Sequence, residues 1–154
     1  MPSYRERLWP SPPVFVAAAL VIPASLLVFL PISRTAGVVS AVVLYGGIVT
    51  LLLATSPVIA VTDAEIVAGR ARLPLRFAGT PEAFDGEGAT LERGRHLDAR
   101  AWVVIRGWVR PVLKVPVEDP GDPTPYWLFS TRRPHEVAAA ITRGRAAVDP
   151  GGRP

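Results

Sequence analysis

The sequence has no cysteine, a single lysine (Lys114), two histidines (His96 and His135) and, between Arg7 and Asp63, almost no charge. Without cysteine there are no disulfides, no thiolate nucleophile and no cysteine-ligated zinc. The histidines lie 39 positions apart, and no Cys or neighbouring Asp/Glu pattern gives zinc spacing near either. Neither has metal-ligand spacing, and both read as solvent-facing loop or helix residues, so no metal and no cofactor is expected. In the 55 residues from Leu8 to Thr62 the only Asp, Glu, Lys, Arg or His is Arg34, and such a block cannot form the surface of an ordinary soluble half-domain. With 49% of its 154 residues apolar and 19% charged, the chain is also too apolar for a disordered protein.

What fills the uncharged block is hydrocarbon. Arg34 divides it into Leu8–Ser33 and Thr35–Thr62, 26 and 28 residues, and each exceeds the ~20 that a helix needs to cross a bilayer core. We expect a transmembrane hairpin over 13–56, with helices at about 13–32 and 36–56. Pro23 should kink the first helix, Ser33 or Thr35 should cap the second, and Pro57 should end it. Gly37, Ser40, Gly46 and Gly47 are small residues suited to close helix packing. A cleaved signal peptide is the competing reading of the first run. Its apolar stretch is long for that, it has no clear cleavage site, and a second span follows. Arg5 and Arg7 precede the first helix, Arg70, Arg72 and Arg76 follow the second, and Arg34 stands alone between them. The positive-inside rule then puts both termini in the cytoplasm, residues 1–12 included, with Trp9 and Tyr4 at the inner interface.

From Val58 the pattern becomes β-like. Val58–Thr62, Glu65–Ala68 and Ala71–Phe77 read as meander strands, with Gly69-Arg70 as a turn. Between Trp102 and Glu118, Val103, Ile105, Val109, Leu113, Val115 and Val117 share one parity, and Arg106, Trp108, Arg110 and Lys114 the other. This alternation predicts a half-buried antiparallel sheet with a polar face, bent at Gly107 and Pro111. Glu118–Pro125 is dense in turn formers, Tyr126–Ser130 is a strand, and a helix follows Pro134 with Val137, Ala138 and Ile141 as its apolar stripe. Residues 149–154 read as a disordered tail. The fold class is thus α+β: a two-helix transmembrane hairpin, then at 57–148 a small antiparallel β domain with a C-terminal helix, similar at fold level to bacterial PH-like domains.

Tyr4-Arg-Glu-Arg-Leu-Trp9, Gly69-Arg-Ala-Arg-Leu-Pro-Leu-Arg76, Leu97-Asp-Ala-Arg-Ala-Trp102 and Asp122-Pro-Thr-Pro-Tyr-Trp-Leu-Phe-Ser-Thr-Arg-Arg-Pro134 together resemble the DUF3093 family of bacterial membrane proteins. The resemblance runs from Tyr4 to about Ile141. It implies an integral membrane protein of unknown molecular activity and carries no catalytic residue. Sixteen arginines against one lysine fit a GC-rich bacterial genome.

No sequence motif announces chemistry. Glu118-Asp119…Asp122 lacks calcium-loop spacing, Ser130-Thr131 has no nucleophile motif around it, and Gly69-Arg-Ala-Arg is no phosphate loop. The net charge is +4, of which the part from Asp63 on carries 14 basic minus 12 acidic residues, or +2. That thin surplus gives no nucleic-acid footprint, and no nucleic-acid partner is expected. The one surface singled out is Arg106, Trp108, Arg110 and Lys114, which beside a membrane would contact anionic lipid headgroups or a membrane or cytoplasmic protein partner. The plainer reading is positive-inside charge whose stems cover the sheet. The expected function is a non-enzymatic binding or scaffold module at the inner leaflet of the bacterial cytoplasmic membrane. The alternative is an accessory subunit of a membrane enzyme or transporter complex.

Overall fold

The computed structural model describes residues 3–148, so the expected tail lies outside the described residues. The chain divides into two compact units. One is Trp9–Ser56, and the other joins the residues up to Leu8 to those from Pro57 onward.

The first unit is helical: α1 Pro12–Ala19, α2 Val21–Phe29 and α3 Arg34–Ala54. The apolar run breaks between α1 and α2 because Pro23 has no N–H for the carbonyl of Ala19 and its ring crowds that group. At the break Leu20 N–H turns back to Ala17 O at 3.2 Å, a tightened i to i−3 bond. Ser33 caps α3 by accepting the Ala36 N–H at 3.4 Å. Over 18 and 21 residues the two apolar stretches are long enough to cross a membrane, yet only Ser25 in the first and Gly37 and Ala41 in the second are buried.

Helices α2 and α3 meet through Ser25, Gly37 and Ala41, the three buried residues of this unit's helices. A Cβ on Gly37 would lie 3.5 Å from Leu26 Cδ2 and 3.6 Å from Phe29 Cβ. Gly46 and Gly47, expected to share that packing, instead face open space. Gly46 is nine residues past Gly37, two and a half turns, so it emerges on the opposite side of α3.

The second unit holds two four-stranded sheets. The first, in order β1-β2-β3-β4, contains Tyr4–Arg7 (β1), Val58–Val61 (β2), Glu65–Ala68 (β3) and Ala71–Pro74 (β4), all antiparallel. Gly69 makes the β3–β4 turn at φ +66°, a conformation that favours glycine. The described residues up to Leu8 therefore belong with the sheet unit. Tyr4–Arg7 is a strand of the sheet, registered Tyr4↔Val61 and Arg7↔Val58, and Tyr4 packs on the sheet core rather than standing as an interface anchor. Four polar or aromatic residues carry little β signal by themselves, and the partner that makes them a strand lies some 50 positions away.

The second sheet runs β5-β7-β8-β6, from Glu82–Phe84 (β5), Trp102–Val104 (β6), Val112–Pro116 (β7) and Tyr126–Ser130 (β8). Among the described residues every strand pairing is antiparallel except β6–β8, which is parallel, so the all-antiparallel expectation needs that amendment. The expected alternation holds at β7, where Leu113 and Val115 enter the main core. It fails at β6, where Val104 is buried and Val103 is 39% exposed, because the loop between β6 and β7 resets the phase.

Two helices complete the unit. Helix α5, Pro134–Val148, buries Val137, Ala140 and Ile141, and packs on β5, β7 and the 3-10 turn Leu75–Phe77. Helix α4, Gly86–Arg93, lies beside the second sheet, where Ala89 joins Val112, Tyr126 and Leu128 in a smaller apolar cluster. The face of the sheet read as polar and open is thus partly covered.

Candidate functional site

Three groups of side chains decide what the sheet unit can offer. The first lies at the end of the first sheet where β1 finishes and β2 begins. Leu8 N–H donates to Pro57 O, and Gly69 N–H to Val58 O, both at 3.0 Å. The Trp108 indole N–H reaches Leu8 O at 3.3 Å, which ties the β6–β7 loop to this end. Arg106 and Arg110 flank Trp108 in that loop. The Arg106 backbone N–H is held by the Ser130 hydroxyl at 3.1 Å, and its guanidinium donates to Ile105 O. Arg110 is exposed. This end is where the chain leaves the sheet unit for the apolar helices and returns from them.

Lys114 does not join that group. It sits mid-strand on β7 and faces the smaller cluster, where its ammonium donates to Glu92 Oε2 at 2.9 Å and lies 4.6 Å over the Tyr126 ring. Glu92, on α4, is 6% exposed, and its other oxygen takes His96 Nδ1 at 2.9 Å. Burial alone would push the Glu92 carboxyl up. Hydrogen bonds and charge from Lys114 and His96 outweigh it and hold the group below its ordinary 4.5. For Lys114 burial opposes the charge, and the Glu92 carboxylate overcomes it and raises the ammonium. The Tyr126 hydroxyl donates to His96 O at 3.0 Å and accepts the Asp98 N–H at 2.7 Å, fixing the segment after α4. His96 remains 55% exposed at its side chain, in keeping with a solvent-facing residue, but it has a partner.

The third group closes β1 onto the start of α5. Glu6 accepts the Thr131 hydroxyl at 2.7 Å, the Tyr4 hydroxyl at 2.9 Å and the Arg132 backbone N–H at 3.2 Å. Burial, and then the Glu6 carboxylate, push the Tyr4 hydroxyl up to about 12 despite its contact with Thr131. Ser130 and Thr131 are fully buried and their hydroxyls are engaged in these bonds, which suits a structural role.

Sequence reading missed Glu92 and Glu6 as organising groups. Glu92-x-x-x-His96 has helical i, i+4 spacing and was the available signal for the former. For Glu6 nothing local pointed to partners 125 positions away.

A family model described as a protein of unknown function, DUF3093, matches residues 3–141. The chain belongs to the DUF3093 family. The matched residues take in β1, both apolar stretches and both sheets. No curated protein and no solved structure matches the chain.

Proposed function

We propose that this DUF3093 chain is an integral membrane protein whose hairpin spans the bacterial cytoplasmic membrane, with the sheet unit held at the cytoplasmic face as a non-enzymatic binding or scaffold module. The observation that carries this is the exposure of the apolar helices. Val16 is 70% exposed, Leu27 77%, Val28 64% and Val42 66%. The core helix of a soluble protein would bury such side chains, and an apolar surface of this extent needs lipid to cover it. Helix α3, at 1.5 Å per residue, is about 32 Å long, matched to a hydrocarbon core of about 30 Å. The arginines set orientation, because Arg5 and Arg7 precede the hairpin in sequence, Arg70, Arg72 and Arg76 follow it within about 20 residues, and Arg34 stands alone between its helices.

Within this reading Arg106, Trp108 and Arg110 are the residues of the expected basic surface that meet anionic headgroups, since they lie at the end where the chain enters the hairpin. Lys114 drops out because Glu92 holds it. The four-stranded meander and C-terminal helix support the PH-like analogy, from which the parallel β6–β8 pair departs.

The test is topology. A reporter active only in the cytoplasm should be active when fused after Pro154 and inactive when inserted beside Arg34, and the chain should resist alkaline extraction from membranes. Release by alkali, or the reverse reporter pattern, would overturn the insertion or its orientation respectively.

A further inference from the structure

We infer that the outer edge of β6 is a lipid-contacting rim of the sheet unit, with Trp102 and Val103 seated in the interfacial layer of the bilayer that the hairpin crosses. This rests on the membrane-spanning reading above and adds a second, separate attachment.

The first observation is what β6 exposes. It is the outermost strand of its sheet, and Trp102 and Val103 are 40% and 39% exposed on it. A free strand edge bearing a tryptophan and a valine invites association in water, and soluble proteins blunt such edges with charge or proline. No charged residue interrupts Ala101–Ile105. Trp102 is partly ordered by Trp127, with ring centroids 6.3 Å apart at 45°, so its outward surface is presented on a supported ring.

The second observation is where β6 ends. A Cβ on Gly69 would stand 3.8 Å from both methyl groups of Val104 and 3.8 Å from Pro57 Cβ. The C-terminal end of β6 therefore lies against the β3–β4 turn, beside the residue at which the chain comes back from the hairpin. Exposed Arg70 occupies the same turn. Aromatic rings with arginines next to them are the composition of a membrane interface, where the ring sits at headgroup depth and the cation meets phosphate.

The occupant is lipid rather than a protein strand. Three residues of edge offer too few main-chain bonds for stable strand addition, which draws its affinity from that ladder. A bilayer, by contrast, is tethered by the same polypeptide a few residues away, so a weak apolar contact forms at high effective concentration.

The cysteine-free sequence makes the test direct. Single variants Val103→Cys, Ala64→Cys and Val43→Cys of the full chain are labelled with an environment-sensitive nitrobenzoxadiazole dye and reconstituted in phosphatidylcholine–phosphatidylglycerol vesicles. Doxyl-labelled lipids then read out lipid contact. Ala64 is exposed in the β2–β3 turn at the other end of the sheet, and Val43 is 64% exposed on α3. Expected is strong quenching at position 43 by deep doxyl groups, at least twofold greater quenching by shallow doxyl groups at 103 than at 64, and little at 64. Quenching at 43 with equal, low quenching at 103 and 64 would overturn the rim while leaving the hairpin in the membrane. A blue-shifted but unquenched dye at 103 would also overturn it, by showing protein as the cover. No quenching at 43 would remove the membrane reading, and the rim with it.

Discussion

Glu92 and Lys114 show how a residue read correctly for its face can still be misread for its company. The alternation along β7 does place Lys114 opposite Leu113 and Val115, but α4 then brings a carboxylate onto that face. Lys114, expected on an open polar face, is therefore half of a pair whose acid is nearly buried. Replacing Lys114 by Asp would set two carboxylates together and should lower stability by about 3 kcal/mol, comparable to the loss from Val115→Asp. Lys114→Met should cost about 2 kcal/mol, because Glu92 keeps His96 while losing its stronger partner. Linked to pH, a carboxyl held below 4.5 stabilises the fold above that value and loses the contribution as pH falls through its lower folded value. Thermal unfolding of the full chain in detergent should show wild type losing stability below about pH 4.5, with a shallower acid limb in Glu92→Gln. Parallel acid limbs would show that other carboxylates dominate.

At the scale of elements, what the sequence made legible was whatever carries local periodicity. Both apolar stretches, the Ser33 cap, the break before Pro23, the Gly69 turn, β2, β3, β7, β8 and α5 lie where pattern and punctuation put them. What it hid depends on distant partners: β1 on β2, β5 on β7, β6 beside β8, and α4, only eight residues long and mostly glycine or polar side chains. Helix packing was hidden differently. Small residues announce that a close approach is possible but not on which side of the helix it falls, and Gly37 and Gly46 lie half a turn apart in phase. Gly37→Leu should therefore lower thermal stability in detergent by several degrees, with Gly46→Leu close to wild type. A larger loss at Gly46 would relocate the contact. Gly144 marks the tightest approach of α5, since a Cβ there would stand 2.6 Å from Leu75 Cδ1. Gly144→Ala should cost about 1–3 kcal/mol through overpacking against that buried leucine, measured as a shift in unfolding midpoint.

For the molecule as a whole, the boundary of the sheet unit is the point on which sequence order misleads most. A fragment starting at Asp63 would lack β1 and β2, and with them Leu8, Ile59 and Val61, each fully buried in the main core. Such a fragment should fail to fold. Replacing Trp9–Ser56 with a turn of two to five residues should instead yield a soluble, mainly β protein, because Leu8 and Pro57 are already hydrogen-bonded neighbours. A helical or aggregated product would refute that. The same pairing bears on how the chain is threaded. A nascent chain that passed only one helix across the bilayer would strand Tyr4–Arg7 and Val58–Val61 on opposite sides and forfeit the first sheet. On the membrane-spanning reading proposed above, closure of β1 on β2 favours insertion that leaves both ends of the hairpin on one side, while the flanking arginines set which side that is. Arg5→Gln with Arg7→Gln should keep a uniform orientation of the two ends, whereas adding Ala60→Pro, which breaks the ladder in a central strand, should produce mixed crossings in the reporter assay.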